Sequence, residues 1–272
     1  MTKQLTELLL VLTLLLIGNQ LLAQEKLYFE SFDVKSGLPE NSVSKIVEDK
    51  LGYIWMATQR GVVRYDGYNY KVYLLEHIDN QRSSSNAASL YVDRNKNIWV
   101  GTIDNGVFKY NYVTDSFIRI AYPKNSFIQT AFILADDKDG NLWGIWESSE
   151  VHNSFWRLTP NGKFESFGSQ EKGINLIPAR SIYDIITTSD GNVLVATSNG
   201  IYRYDGPRKL FSGFFNEENS LPKEWYNLYE SPSKPGVLWS YQSEGDFAKM
   251  NLARIDSKRM TAEYFALPNA FG

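Results

Sequence analysis

Apolar and polar residues alternate over runs of four to six positions, and each run breaks at Gly, Asp, Asn or Pro. In I-V-E-D-K-L-G-Y-I-W-M-A-T-Q-R-G-V-V-R-Y-D, Ile46 to Asp66, the pattern reads strand, tight turn, strand, tight turn, strand. Period-two alternation marks half-buried strands, and no segment sustains the 3.6-residue apolar period of an amphipathic helix. Helices are therefore expected to be scarce.

This stretch recurs four more times along the chain. Trp55 sits in D-K-L-G-Y-I-W-M-A-T, Trp99 in D-R-N-K-N-I-W-V-G-T and Trp143 in D-D-K-D-G-N-L-W-G-I-W. Unit four has Leu194 at the Trp position, and unit five has Trp239 in S-P-S-K-P-G-V-L-W-S-Y. The anchors are 44, 44, 51 and 45 residues apart. Short β-rich segments around Val43, Ile46, Leu90, Leu134, Ile185 and Leu228 precede the turns. Asp, Asn and Gly then supply the backbone freedom for each reversal. A fourth, aromatic strand closes each unit, as in Tyr70–Tyr73, Phe117–Ile120 and Phe164–Phe167.

Four antiparallel strands per ~45 residues is the unit of a β-propeller blade. The fold class is all-β, with about five blades. Leu27–Val34 and Met260–Leu267 read as outermost strands beyond the five units. Two architectures fit that count, a small closed ring or part of a larger propeller. The repeated Trp residues are expected to be core, packed between blades on the second strand from the axis. The turn aspartates Asp49, Asp93, Asp139 and Asp190 fit turn chemistry better than paired catalysis.

Composition adds limits. The 272 residues are 43% hydrophobic and 22% charged, with a net charge of -3. That is enough apolar material for a packed core, and it lacks the clustered basic face that nucleic acid requires. Residues 1–23 form a separate segment, with Lys3 ahead of the apolar run Leu8–Ile17 and a small residue, Ala23, before Gln24. The run is too short to span a bilayer as a helix, which fits a cleaved secretory signal peptide. The alternative, an uncleaved anchor from Leu5 to Ala23, is weakened by Glu7, Asn19 and Gln20. The propeller is then 24–272, exported or periplasmic. With no Cys in the chain, disulfides, lipoprotein anchoring and thiolate metal sites are excluded.

Gly37 to Gly67, G-L-P-E-N-S-V-S-K-I-V-E-D-K-L-G-Y-I-W-M-A-T-Q-R-G-V-V-R-Y-D-G, closely resembles the two-component regulator propeller repeat. Units one, two and four follow its pattern. Unit three departs in its second turn, and unit five replaces the Asp-x-x-Gly turn with Ser-Pro-Ser-Lys-Pro-Gly. The resemblance implies the periplasmic sensor region of a hybrid two-component histidine kinase, which typically detects breakdown products of polysaccharides. No kinase histidine box or nucleotide-binding glycines occur in these residues, so kinase activity is not expected of them. The partners implied are a small-molecule or oligosaccharide ligand, a kinase, and a second copy of the chain, without nucleic acid.

In a propeller, the turns between second and third strands share one face with the links between blades. On that face unit three is lengthened, bringing Trp146, Glu147, Glu150, His152 and Asn153 where unit one has the short turn Gln59–Arg60. Trp225 and Tyr226 fall on the same face. Aromatic rings stack on sugars and polar side chains bind their hydroxyls, which makes these nine the candidate ligand contacts. On this reading, replacing Trp146 and Glu147 weakens ligand binding and leaves melting unchanged. The two histidines, His77 and His152, lie in different units, and no nucleophile elbow, phosphate loop or metalloprotease motif is present. Neither an enzyme nor a cofactor is expected. The rival reading is a stand-alone propeller scaffold for protein–protein interaction.

Overall fold

A computed structural model of the chain describes residues 31–75, 85–103, 105–121, 130–147, 154–167, 177, 181–206, 210–215, 224–243 and 250–267. Within them, twenty strands form five four-stranded antiparallel sheets, each in sequential order. Blade one comprises β1 (Val43–Glu48), β2 (Ile54–Thr58), β3 (Gly61–Tyr65) and β4 (Tyr70–Tyr73). Blade two comprises β5 (Ala87–Val92), β6 (Ile98–Thr102), β7 (Val107–Asn111) and β8 (Ser116–Ala121). Blade three comprises β9 (Thr130–Asp136), β10 (Leu142–Glu147), β11 (Ser154–Leu158) and β12 (Phe164–Phe167). Blade four comprises β13 (Ile182–Thr187), β14 (Val193–Thr197), β15 (Gly200–Asp205) and β16 (Leu210–Phe215). Blade five comprises β17 (Glu224–Glu230), β18 (Val237–Ser243), β19 (Asn251–Asp256) and β20 (Thr261–Ala266). Helical structure among the described residues is one 3-10 turn, Val34–Ser36, capped by the Asp33 carboxylate.

The first strands pack side by side in chain order, β1 on β5, β5 on β9, β9 on β13 and β13 on β17. They are the inner strands, and each blade sends one face to the blade before it and the other to the blade after. Trp55, Ala57, Val62 and Tyr73 of blade one join Leu90, Ile98, Val100 and Phe108 of blade two in one buried cluster. Trp143, Ile145 and Phe155 of blade three meet Ile185, Val193 and Val195 of blade four in the same way. Leu194, Ala196 and Ile201 of blade four meet Trp225, Leu228 and Leu238 of blade five. At Gly144 a Cβ would fall 2.3 Å from the Trp156 indole and 2.0 Å from the Phe132 carbonyl oxygen, so only glycine admits that ring.

The end blades show how the five are arranged. Leu90, Ile185 and Leu228, on inner strands, are buried against the preceding blade, whereas Ile46 at the same position of β1 is 59% exposed. At the other end Tyr229, Tyr241 and Phe265 of blade five are exposed. Among the described residues the blades thus form an open arc. Leu38 and Phe32 cover part of the free face of blade one, Leu38 beside Met56 and Val63, and Phe32 edge-on to Tyr65 at 5.5 Å.

Three expectations are corrected. The Met260–Leu267 segment is no surplus strand, because β20 pairs with β19 as the fourth strand of blade five. Of Leu27–Val34 the described part, Ser31–Val34, is not strand and leads into the 3-10 turn. In unit three Asp137 takes the turn position equivalent to Asp49 and Asp93. Asp139, two residues on, lies on the same turn and donates its amide to the Asp137 carboxylate at 3.0 Å, and Asp190 of unit four likewise stands two residues after Thr188.

Candidate ligand-binding site

The inner strands all start on the face that carries the turns between second and third strands. Near their starts the antiparallel register slips, between Val43 and Lys45 in β1, Ala87 and Ser89 in β5, and Ile182 and Asp184 in β13. A bulge of this kind re-aims the neighbouring side chains and leaves an extra residue off the ladder. The recurrence in three blades gathers polar side chains around the axial mouth.

On one side of the mouth, blades one to three form a cleft of about 480 Å³ lined by Ser42, Ser44, Gln59, Asn86, Thr130 and Phe132. Ser44 Oγ lies 3.3 Å from the Ala57 carbonyl oxygen and 3.2 Å from that of Ala87, which ties blade one to blade two under the cleft. Amide, hydroxyl and one aromatic face are thus presented together.

Blades four and five contribute a second group. The rings of Tyr183 and Tyr226 lie 4.3 Å apart between centroids at 38°. Tyr183 donates its phenol to Glu224 Oε1 at 3.4 Å, and Tyr226 donates to Oε2 of the same carboxylate. Burial first, then the bond to Glu224, raises the Tyr226 phenol well above its ordinary range. Next to Tyr183, Asp184 Oδ1 accepts from the Ile185 amide and Oδ2 from the Leu228 amide of blade five, each at 2.8 Å. Burial nevertheless wins and pushes the Asp184 carboxyl up to about 6, against the two amide bonds and the charge of Lys45 on β1.

The nine sequence candidates divide. Gln59 and Arg60 are exposed in the β2–β3 turn, and Gln59 lines the cleft. Tyr226 stands at the mouth, half-buried. Trp146 is not on a loop: it lies in β10, paired with Ala131 and Ser154, 2% exposed, with Trp156 and Phe164 each 5.6 Å away between centroids. Trp225 is likewise core, edge-on to Phe215 at 5.5 Å. Both continue the apolar side of a strand, so neither offers a free ring to a ligand. Glu147 ends β10 opposite Thr130. Glu150, His152 and Asn153 lie outside the described residues, as does His77.

Tyr183, Asp184, Glu224 and Asn86 were not singled out from sequence. Their signal is positional: each stands at or just before the start of an inner strand, where the bulge turns side chains to the axis. The described residues hold no group of three or more His, Asp or Glu placed to bind a metal ion. The arrangement can stack and hydrogen-bond a hydroxylated ligand.

Comparison with known proteins agrees with this architecture. The family model described as two component regulator propeller matches residues 37–60 and 81–104. A 45-residue stretch is 40% identical to Histidine kinase P4 of Formosa agariphila, covering 16% of this chain and 3% of that protein. The crystallised extracellular domain of one hybrid two component system of B. thetaiotaomicron superposes with TM-score 0.63 at 23% identity over 86% of this chain. A second such domain from the same organism gives 0.65 at 20% identity, also over 86%. The chain spans only 29% and 31% of those two solved chains. Residues 37–60 and 81–104, which carry the first two strands of blades one and two, match the two-component regulator propeller repeat, and the five blades together share the propeller fold of part of the extracellular domains of hybrid two-component systems.

Proposed function

We propose that this propeller is an exported ligand sensor of a two-component system, recognising a carbohydrate or polysaccharide fragment at its axial mouth. The observation that carries the reading is the convergence there of Gln59, Asn86 and Thr130 on one side and Tyr183, Glu224 and Tyr226 on the other. Amides, phenols and a carboxylate beside aromatic faces are what a sugar's hydroxyls and ring faces require. The signal-like segment 1–23 and the likeness to extracellular domains support export. The kinase step lies outside these 272 residues, which carry none of its motifs.

The site reads as binding rather than catalytic. Asp184 is committed to two backbone amides and Glu224 to two phenols, which leaves neither poised as an acid–base partner. Calorimetry with the purified propeller against a panel of neutral and acidic oligosaccharides tests the reading. At least one should bind, and Gln59→Ala with Tyr226→Phe should weaken it ten-fold or more. Absence of heat with every glycan, or wild-type affinity in the double variant, overturns it.

A second reading, a propeller scaffold for protein–protein interaction, is favoured by one feature. Tyr229, Tyr241 and Phe265 are exposed on the outer face of blade five, with Trp239 beside Phe265 at 6.0 Å. A scaffold would bind a protein through this face and no glycan at the mouth.

A further inference from the structure

The five inner strands each bring one residue to a common level of the axis. Lys45, Ser89, Phe132, Asp184 and Tyr226 all stand opposite the residue two places past the Trp or Leu anchor of their blade. Of the two charged members, Asp184 takes the amides of Ile185 and Leu228 and feels the charge of Lys45 as well. Glu224 lies two residues before Tyr226, opposite Ser243. Ser243 is four residues past Trp239, as the cleft residue Gln59 is four past Trp55. Glu224 therefore stands at the height of Gln59, on the blade four–five side of the mouth.

Where Asp115 and Asp136 hold tyrosine phenols, a cation joins them. Asp115 accepts from Tyr73 at 2.6 Å and pairs with Arg64 at 3.1 Å. Asp136 accepts from Tyr91 at 2.7 Å and pairs with Arg94 at 2.6 Å. Glu224 accepts from both Tyr183 and Tyr226, and among the described residues no Lys or Arg lies within ion-pair distance of it. Arg60 is exposed on the β2–β3 turn of blade one and is not paired with it. The hydrogens matter as much as the charge. Both phenols turn their single O–H to the carboxylate, so lone pairs are what remain on their oxygens. One carboxylate and two phenol oxygens thus offer acceptors and no donor. A hydroxyl meets such a corner with one hydrogen, an ammonium with three and a charge. The tyrosine rings attract a cation in addition.

We propose that this corner binds an ammonium group, and that the ligand of the mouth is an amino sugar whose amine is not acylated. The amine donates to Glu224 and to the oxygens of Tyr183 and Tyr226, and the sugar body extends across the mouth toward Gln59 and Asn86. The ammonium takes the part that Arg64 plays at Asp115 and Arg94 at Asp136. The preference for an amine comes from the corner alone; the sugar body rests on the carbohydrate reading above.

The test is calorimetry at neutral pH and low salt with the β-1,4 glucosamine disaccharide, its diacetyl form, cellobiose and methylamine. The three disaccharides share one skeleton and carry ammonium, acetamide or hydroxyl at C2. The wild type should bind the glucosamine disaccharide at least ten-fold more tightly than either of the others. Glu224→Gln keeps an acceptor oxygen and the side-chain volume; it should abolish that preference, with cellobiose affinity and melting temperature unchanged. Tyr183→Phe removes one phenol oxygen and should give a several-fold loss for the amino sugar alone, which guards against misfolding of the Glu224 variant. Cellobiose or the diacetyl form bound as tightly as the amino sugar overturns the amine and leaves the carbohydrate reading standing. An amine preference that survives Glu224→Gln overturns the corner as its site. Methylamine bound as tightly as the disaccharide overturns the sugar body, and the carbohydrate reading with it. Binding of none of the four overturns the amine assignment, and the oligosaccharide panel above then decides the carbohydrate reading by itself.

Discussion

The indole N–H of Trp55 donates to Oδ2 of Asp49, six residues earlier, at 2.9 Å, and the bond recurs at 2.8 Å as Trp99–Asp93 and Trp143–Asp137. The same carboxylate also takes backbone amides of the turn, as Asp49 does from Leu51 at 2.8 Å and Tyr53 at 3.0 Å. One residue therefore closes the turn between the first two strands and satisfies the one polar atom of a buried indole. In blade four both members are lost together, with Leu194 for the Trp and Thr188 for the Asp. Blade five keeps Trp239 but has Ser231 at the turn, and its indole lies on the open end of the arc.

Removing the carboxylate strands a buried donor as well as the turn amides. Asp137→Ala should lower unfolding free energy by about 2–4 kcal/mol, since each buried group left unsatisfied costs about 1–3 kcal/mol. Ser231→Ala, at the equivalent turn of blade five, should stay within about 0.5 kcal/mol. Urea denaturation followed by tryptophan fluorescence measures both; equal costs at the two positions would refute a shared role for the Asp–Trp bond.

Position along the arc decides what an inner-strand side chain contributes. Leu90 and Ile46 occupy equivalent registers, opposite Val100 and Met56. Leu90 is buried against blade one, whereas no described blade packs against Ile46, which is exposed. Leu90→Ala should cost about 2–4 kcal/mol, as core truncations do, and Ile46→Ala less than about 1 kcal/mol. A large cost at Ile46 would mean that its face is covered in solution.

How much of this was legible in the sequence follows from the same physics. Strand alternation, turn glycines and the returning Trp are local signals, and they delivered the blades and the family. Whether Ile46 is covered depends on what stands in front of blade one, which no local pattern encodes. Trp146 was misplaced because it was counted with the lengthened turn. It stands three residues after Trp143, where Thr58, Thr102 and Thr197 end the second strands of blades one, two and four, and the lengthening begins only after it. The mouth residues Tyr183 and Glu224 stayed hidden for a third reason. A bulge, not the alternation itself, turns the start of each inner strand to the axis, and bulges leave no fixed residue type behind.

Asp184 gives a pH signature. Its carboxyl is raised to about 6 by burial, so the native state holds its proton more tightly than the unfolded chain does. Stability from this group is therefore full below about pH 4 and is lost as pH rises through about 6. Asp184→Asn removes the titration while keeping one acceptor for the Ile185 and Leu228 amides. Relative to that variant the wild type should lose about 2–3 kcal/mol between pH 4 and pH 7. Parallel stability curves for the two proteins over this range would show that the carboxylate is solvated.

The last prediction separates framework from site on the mouth face. Trp146 is buried with Trp156 and Phe164 and is flanked by Ala131 across the β9–β10 ladder. Truncating it opens a cavity the size of an indole inside blade three, which should cost about 3–5 kcal/mol and lower the melting temperature. Tyr226 is half-buried, and its hydroxyl donates to Glu224 at the mouth. Tyr226→Phe keeps the ring on Tyr183 and gives up about 0.5–1.5 kcal/mol of hydrogen bond. Thermal melts should therefore rank Trp146→Ala far below Tyr226→Phe. Ligand affinity measured below both melting transitions should rank them in reverse, with the larger loss in Tyr226→Phe. A Trp146→Ala protein that melts like wild type and has lost its ligand would return the indole to the binding surface.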